Sequence, residues 1–303
     1  KELLGERDPD YLTSLNTMAI LYSDLGEYSK VLEIHLKVLE LRKEVLGDKH
    51  PDYLESLSNL AFIYSELGEY QKALEINLKA VELGREILGE KHPDFLNILN
   101  NQTVIYSDLG DYPKALGINL KVVELEKEIL GEKHPDYLVS LSNLAVKYSY
   151  VGDYKKALEI NQKVAELRKE ILGEKHPDYL TSLSNLSQDY SDLGDYAKSL
   201  EILLKVIEMR KEGLGEKHPN YLRSLNNLAS VYSDLGDFQK ALEIGLKVVE
   251  LRKEVSGENH PDYLTSLLNL ALYYSELGDY QKAIENELKV VKLIKEFLGE
   301  KHP

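Results

Sequence analysis

Eight prolines stand at one fixed step: Pro9, Pro51, Pro93, Pro135, Pro177, Pro219, Pro261 and Pro303 are each 42 residues apart. Only Pro113 falls outside the series. His50, His92, His134, His176, His218, His260 and His302 keep the same step, and His35 alone does not. A fixed period of this length is the mark of a repeat array in which each unit packs on its neighbours. It overrides the two-domain expectation that 303 residues would otherwise carry. The repeats are expected at 9–50, 51–92, 93–134, 135–176, 177–218, 219–260 and 261–303, with residues 1–8 as the tail of a preceding repeat. The chain is accordingly read as a piece of something longer.

One repeat can be followed from Pro51 to His92. Proline suits the first helical position, where its missing N–H costs nothing. Asp52 favours the positive end of the helix. Leu54, Leu57, Leu60, Ala61 and Tyr64 then recur at three- and four-residue steps, the helical period. Gly68 is expected to stop this helix in a left-handed conformation. Glu69 is expected to cap the next helix, as Asp111 and Asp153 do in their repeats. The second helix carries Ala73, Leu74, Leu78, Val81 and Ile87 and stops at Gly89. Glu75 and Lys79 are placed for an i,i+4 ion pair. Of the 25 Tyr and Phe residues, 21 fall in three columns that begin Tyr11/Tyr53/Phe95, Tyr22/Tyr64/Tyr106 and Tyr28/Tyr70/Tyr112. Such regularity points to packing rather than chemistry.

The pattern Leu60-Ala61, Tyr64, Leu67-Gly68, Tyr70, Ala73-Leu74 resembles the tetratricopeptide motif and is present in all seven repeats. The 42-residue length departs from the common 34-residue form, and Leu57 stands where that form often has Trp. The longer repeat, with its L-N-N-L-A and G-E-K-H-P-D-Y stretches, is similar to the repeat domain of kinesin light chains. The resemblance implies an all-α fold, a right-handed α-solenoid (superhelix) of seven helix-turn-helix repeats. It also implies that the first helices line a concave groove for extended peptides or partner helices.

Composition narrows the function. The net charge is −15, and no run of Lys/Arg exceeds two residues, so a nucleic-acid partner is not expected. No apolar run approaches the length of a membrane span. The chain has no cysteine, so disulfides and thiolate metal sites are excluded. The histidine column places one copy in each inter-repeat turn, whereas a metal or catalytic site needs several groups converging once. No enzyme, metal or cofactor is expected, and a cytoplasmic location is.

Residues that depart from packing logic are the candidate site. Asn59, Asn101, Asn143, Asn185, Asn227 and Asn269 form a column inside first helices, where asparagine is a mediocre helix former. A carboxamide both donates and accepts, so it can pair with peptide backbone of any sequence. The kinesin light chain resemblance implies that use, and bridging of neighbouring repeats is the other reading. Asp24, Glu66, Asp108, Asp192, Asp234 and Glu276 form an acidic row in the last turn of first helices, against the helix dipole. Attraction of a basic ligand and a solvated rim both account for it. A variable column runs through Ile20, Phe62, Val104, Val146, Gln188, Ser230 and Leu272, and Lys147, Asp189 and Arg223 are local departures. The chain is thus expected to be a non-catalytic scaffold for a protein or peptide, basic in character. The alternative is a structural array associating head-to-tail through uncapped ends.

Overall fold

The computed structural model describes residues 9–24 and 28–298. The tail expected at 1–8 and the side chain of Asp24 lie outside the described residues. The described chain is helical, with no strand: α1 (Pro9–Asp24), α2 (Tyr28–Leu46), α3 (Pro51–Glu66), α4 (Tyr70–Ile87), α5 (Pro93–Asp108), α6 (Tyr112–Leu130), α7 (Pro135–Tyr150), α8 (Tyr154–Leu172), α9 (Pro177–Asp192), α10 (Tyr196–Leu214), α11 (Pro219–Asp234), α12 (Phe238–Ser256), α13 (Pro261–Glu276) and α14 (Tyr280–Leu298). None of them is long and apolar enough to cross a membrane. The helices fall into two compact units, Lys1–Asp153 and Tyr154–Pro303. Within each unit, helices pack on their sequence neighbours, so a second helix lies against its own first helix and the next one.

Helix borders follow from a few residues. Proline opens every first helix from α3 to α13, and the preceding histidine caps it. The Nδ1 of His50, His92, His134, His176, His218 and His260 accepts the backbone N–H two residues on, at 3.1–3.2 Å. Gly68 and Gly89 take positive φ, +73° and +82°, as their stop roles require. Asp111, Asp195 and Asp237 cap their second helices through the carboxylate. Glu69 does not: like those aspartates it pairs with the lysine three residues on, Lys72 at 3.2 Å, but its side chain makes no cap hydrogen bond. Lys79, expected to pair with Glu75, instead donates to the Tyr53 hydroxyl at 3.2 Å.

The core is a series of interfaces between hairpins. Tyr53, Leu54 and Leu57 of α3 bury against Ala80 of α4 and Ile98 of α5. Tyr221, Leu222 and Leu225 of α11 do the same against Val248 of α12. Each fully buried Leu contributes roughly 1.5–3 kcal/mol. The second tyrosine column lies half-buried under lysine ammonium groups, as at Lys72 over Tyr64 (5.7 Å) and Lys240 over Tyr232 (5.1 Å). Four arginines on second helices tether the following first helix. Arg42, Arg168, Arg210 and Arg252 each donate to a first-turn backbone carbonyl and to a serine hydroxyl of the next helix. At α14 the outward stripe Tyr280, Ile284, Leu288 and Val291 is exposed, while of its equivalents on α12 Phe238, Leu242 and Val249 are partly covered and Leu246 is exposed.

The histidine cap generates a prediction. His176→Ala should lower the urea midpoint by an amount equivalent to about 1 kcal/mol, and His176→Ser should restore most of it. An unchanged midpoint for the alanine variant would remove the cap from the account.

Candidate functional site

The first helices of the 1–153 unit present the face that the sequence singled out. Phe62 on α3 is 51% exposed, Val104 on α5 48% and Val146 on α7 38%. Each belongs to the variable column, so three exposed apolar side chains stand on successive first helices. Beside them, Asn59 and Asn101 are half-buried and Asn143 is exposed. A crevice of about 490 Å³ opens between α3 and α5, lined in part by Ser58, Asn59, Asn97 and Asn101. A second, of about 200 Å³, lies one repeat on between α5 and α7 and takes in Asn97, Asn100 and Val139.

In the 154–303 unit the same positions are more polar. Gln188 is exposed and donates to Asp192 at 2.8 Å. Arg223 is exposed and holds the Asn220 side chain. Asn185, Asn227 and Asn269 are half-buried.

Two asparagines of the column bridge neighbouring helices. Asn101 Nδ2 donates to Ser58 Oγ at 3.0 Å, and Asn269 Nδ2 donates to Asn226 Oδ1 at 3.1 Å. The acidic row is exposed at Glu66, Asp108, Asp192, Asp234 and Glu276. Two of its carboxylates accept hydroxyl hydrogens from the preceding first helix, Asp108 from Ser65 (3.0 Å) and Asp234 from Ser191 (3.3 Å). Tyr150, which replaces the acid on α7, packs its ring 4.9 Å from that of Tyr112.

Beneath this face lie polar groups at positions that are apolar in other repeats. Lys147 occupies the place of Ile63 and Ile105. It is buried, and its Nζ donates to Ser107 Oγ at 2.7 Å. Burial holds the ammonium below its ordinary pKa, an effect opposed by Asp108. Asp189, the place of Val231, is 4% exposed and accepts from Asn161 Nδ2 at 2.7 Å. Burial pushes its carboxyl up to about 6, against the Asn161 hydrogen bond. Close by in sequence, Ser187 and Ser199 replace two alanines and bond each other at 3.0 Å. These arrangements order polar groups beneath the first-helix face. Among the described residues no three His, Asp or Glu side chains are grouped to hold a metal ion.

A tetratricopeptide repeat model matches residues 10–86, 56–125, 94–170, 148–212, 188–254 and 223–296, nearly the whole chain. The chain belongs to the tetratricopeptide repeat family. Among solved structures it is similar to a candidate kinesin light chain of Podosopora anserina with nearly identical TPR-like repeats. That likeness has 28% identity and a TM-score of 0.56, over 68% of this chain and 98% of that one. It is also similar to BtubC (BKLC) from P. vanneervenii, at 20% identity and TM-score 0.56, covering 82% of this chain and 94% of that one. The apo quorum sensor NprR from B. thuringiensis shares 18% identity at TM-score 0.69, over 93% of this chain and 76% of that one. The last two likenesses show the fold alone. No curated protein matches.

One column of this tetratricopeptide array escaped the sequence reading. Asn77, Asn119 and Asn161 occupy one register in α4, α6 and α8 and are buried. Asn77 donates to the Ile98 carbonyl at 3.2 Å, and Asn161 to Asp189. The signal was three asparagines at a 42-residue step in second helices, where a polar residue facing the next repeat looks the same as one facing solvent.

Asp189 makes stability depend on pH. Its folded pKa lies above its unfolded value near 3.8, so the native state binds the proton more tightly. Its contribution is fullest below about 4 and is lost as pH rises through about 6, on the order of 3 kcal/mol at most. The double variant Asn161→Leu/Asp189→Val recreates the Leu203/Val231 pair of the following interface. It should be more stable than the parent at neutral pH and lack this slope in urea titrations at several pH values. Parallel pH profiles for the two proteins would contradict the assignment.

Proposed function

We propose that the chain is a non-catalytic interaction scaffold that holds an extended peptide, or an extended segment of a partner protein, along its first-helix face. The repeats would follow the borders set by the prolines, one first helix in each. The observation that carries this reading is the juxtaposition in the 1–153 unit of exposed Phe62, Val104 and Val146 with amides lining crevices between first helices. Apolar side chains of a ligand would rest on the former. Its backbone would meet carboxamides, which pair with any sequence. In the second unit Asn185, Asn227, Gln188 and Arg223 would continue the contact. Asn101 and Asn269 would serve chiefly to tie neighbouring helices. The acidic row and the net charge of −15 favour a basic ligand. An affinity on the order of micromolar, about −8 kcal/mol, is expected of such a contact.

Peptide display selection tests this. Asn143, Asn185 and Asn227 changed together to Ala make the control, because none of the three bridges helices as Asn101 and Asn269 do. A motif enriched on the parent and lost on the variant, at unchanged helicity, supports the reading. If nothing enriches and sedimentation shows a concentration-dependent series of oligomers, a self-associating array joined through the exposed α14 stripe takes its place.

A further inference from the structure

The arginine tethers make one hairpin stand apart. Arg42 Nη1 reaches the Asp52 carbonyl and Ser56 Oγ, both at 2.8 Å. Arg168 Nη1 lies 3.3 Å from the Asp178 carbonyl and 2.9 Å from Ser182 Oγ. Arg210 Nη1 lies 3.1 Å from the Asn220 carbonyl and 2.6 Å from Ser224 Oγ. In each case a guanidinium from one hairpin fills an acceptor pair on the next.

Of the second helices that pack on a following first helix, two lack the arginine, and they lack it in opposite ways. On α4 the position is Gly84, and the facing serine is Ile98. A Cβ at Gly84 would meet Phe95 at 3.0 Å and Ile98 at 3.2 Å. Donor and hydroxyl acceptor have both been exchanged for apolar packing, so nothing is left wanting. On α6 the position is Glu126, and the facing serine remains as Ser140. The donor is gone, the hydroxyl stays, and a carboxylate has been added. Glu126 is 4% exposed and its Oε2 has no hydrogen-bond partner. Leaving a buried carboxylate without its counter-charge is costly. Burial holds its carboxyl above the ordinary range, and a Ser140 hydrogen bond works against that.

Glu126 lines the 200 Å³ crevice between α5 and α7, together with Asp136, Ser140, Asn97 and Val139. The Asp136 carboxylate stands at its mouth, 74% exposed. The crevice therefore offers a buried carboxylate, a hydroxyl and an exposed carboxylate, with aliphatic wall from Val139, Leu96 and Ile129. That set suits a planar cation on an aliphatic stem.

We propose that this crevice takes an arginine side chain of the bound peptide, whose guanidinium occupies the place that the chain's own arginine fills at the other tethers. The inference rests on the first-helix face being the ligand-binding surface, and it supplies the basic residue that the ligand carries. The arginine would pass the groove-lining Asn97 and Asn100 and end against Glu126 and Ser140.

The test uses the full chain and two small probes, N-acetyl-arginine amide and its neutral isostere N-acetyl-citrulline amide, titrated by NMR. The expected result is a preference for arginine on the order of tenfold or more, with shifts confined to residues of α5, α6 and α7. Glu126→Gln should abolish the preference while keeping the shape of the site. Glu126→Arg should abolish it too and raise the melting temperature, because the internal tether is restored. Equal response to the two probes, or an arginine preference that survives Glu126→Gln, overturns the proposal. Neither outcome depends on peptide selection, so a peptide that enriches without an arginine requirement would leave the scaffold reading standing while this site fails.

Discussion

Each hairpin carries an apolar face that it cannot cover by itself, and the next hairpin covers it. Everything else follows from how that inter-hairpin contact is made. The second helix of one hairpin supplies small or branched side chains, and the next first helix supplies tyrosine and leucine. At four of these contacts an arginine beside that patch ties two acceptors of the next helix. Since the contact recurs at each step, stability in such an array is a sum of neighbouring interfaces. Each interface can then change on its own if both sides change together.

Several interfaces show that compensation. Gly84 accompanies Ile98 and Phe95, and Gly245 makes room for Tyr273, whose ring would lie 3.1 Å from an added Cβ. Ser187 accompanies Ser199. Asn161 accompanies Asp189, where the following interface pairs Leu203 with Val231. In these pairs, the last of them between hairpins and the serine pair within one, a change on one helix is met by a change in size or in hydrogen bonding on the other. α6 departs from this: Glu126 faces the Ser140 hydroxyl where four other interfaces have an arginine, and the carboxamide of Asn119 on the same helix is buried without a hydrogen-bond partner.

The fold was largely legible before the structure. Proline, the turn glycines and the helical period of Leu54, Leu57, Leu60 and Tyr64 locate the helices because they act locally. What depends on the approach of another helix was not legible. The histidines read as architectural, but their Nδ1 capping role needed backbone geometry. Glu69 read as a cap, yet its side chain makes no cap hydrogen bond where Asp111, Asp195 and Asp237 do. The column Asn77, Asn119 and Asn161 went unseen because helical period alone does not say which side faces the next hairpin. Phe62, Val104 and Val146 were picked out by their variability, and they stand exposed. The asparagine column divides, with Asn101 and Asn269 spanning helices and Asn143 facing outward.

The proposed ligand face differs in kind from the interfaces. Buried positions are constrained in pairs, whereas Phe62, Val104 and Val146 are exposed apolar side chains on successive first helices. The absence of cysteine allows this to be probed with single thiols. Phe62→Cys and Val104→Cys would report the first-helix face, and Leu78→Cys, on the exposed side of α4, the opposite one. Their labelling rates should be compared with and without a peptide obtained by selection. The account predicts that the peptide slows labelling at positions 62 and 104 and leaves position 78 unchanged. Protection at 78 with free labelling at 62 and 104 would contradict it.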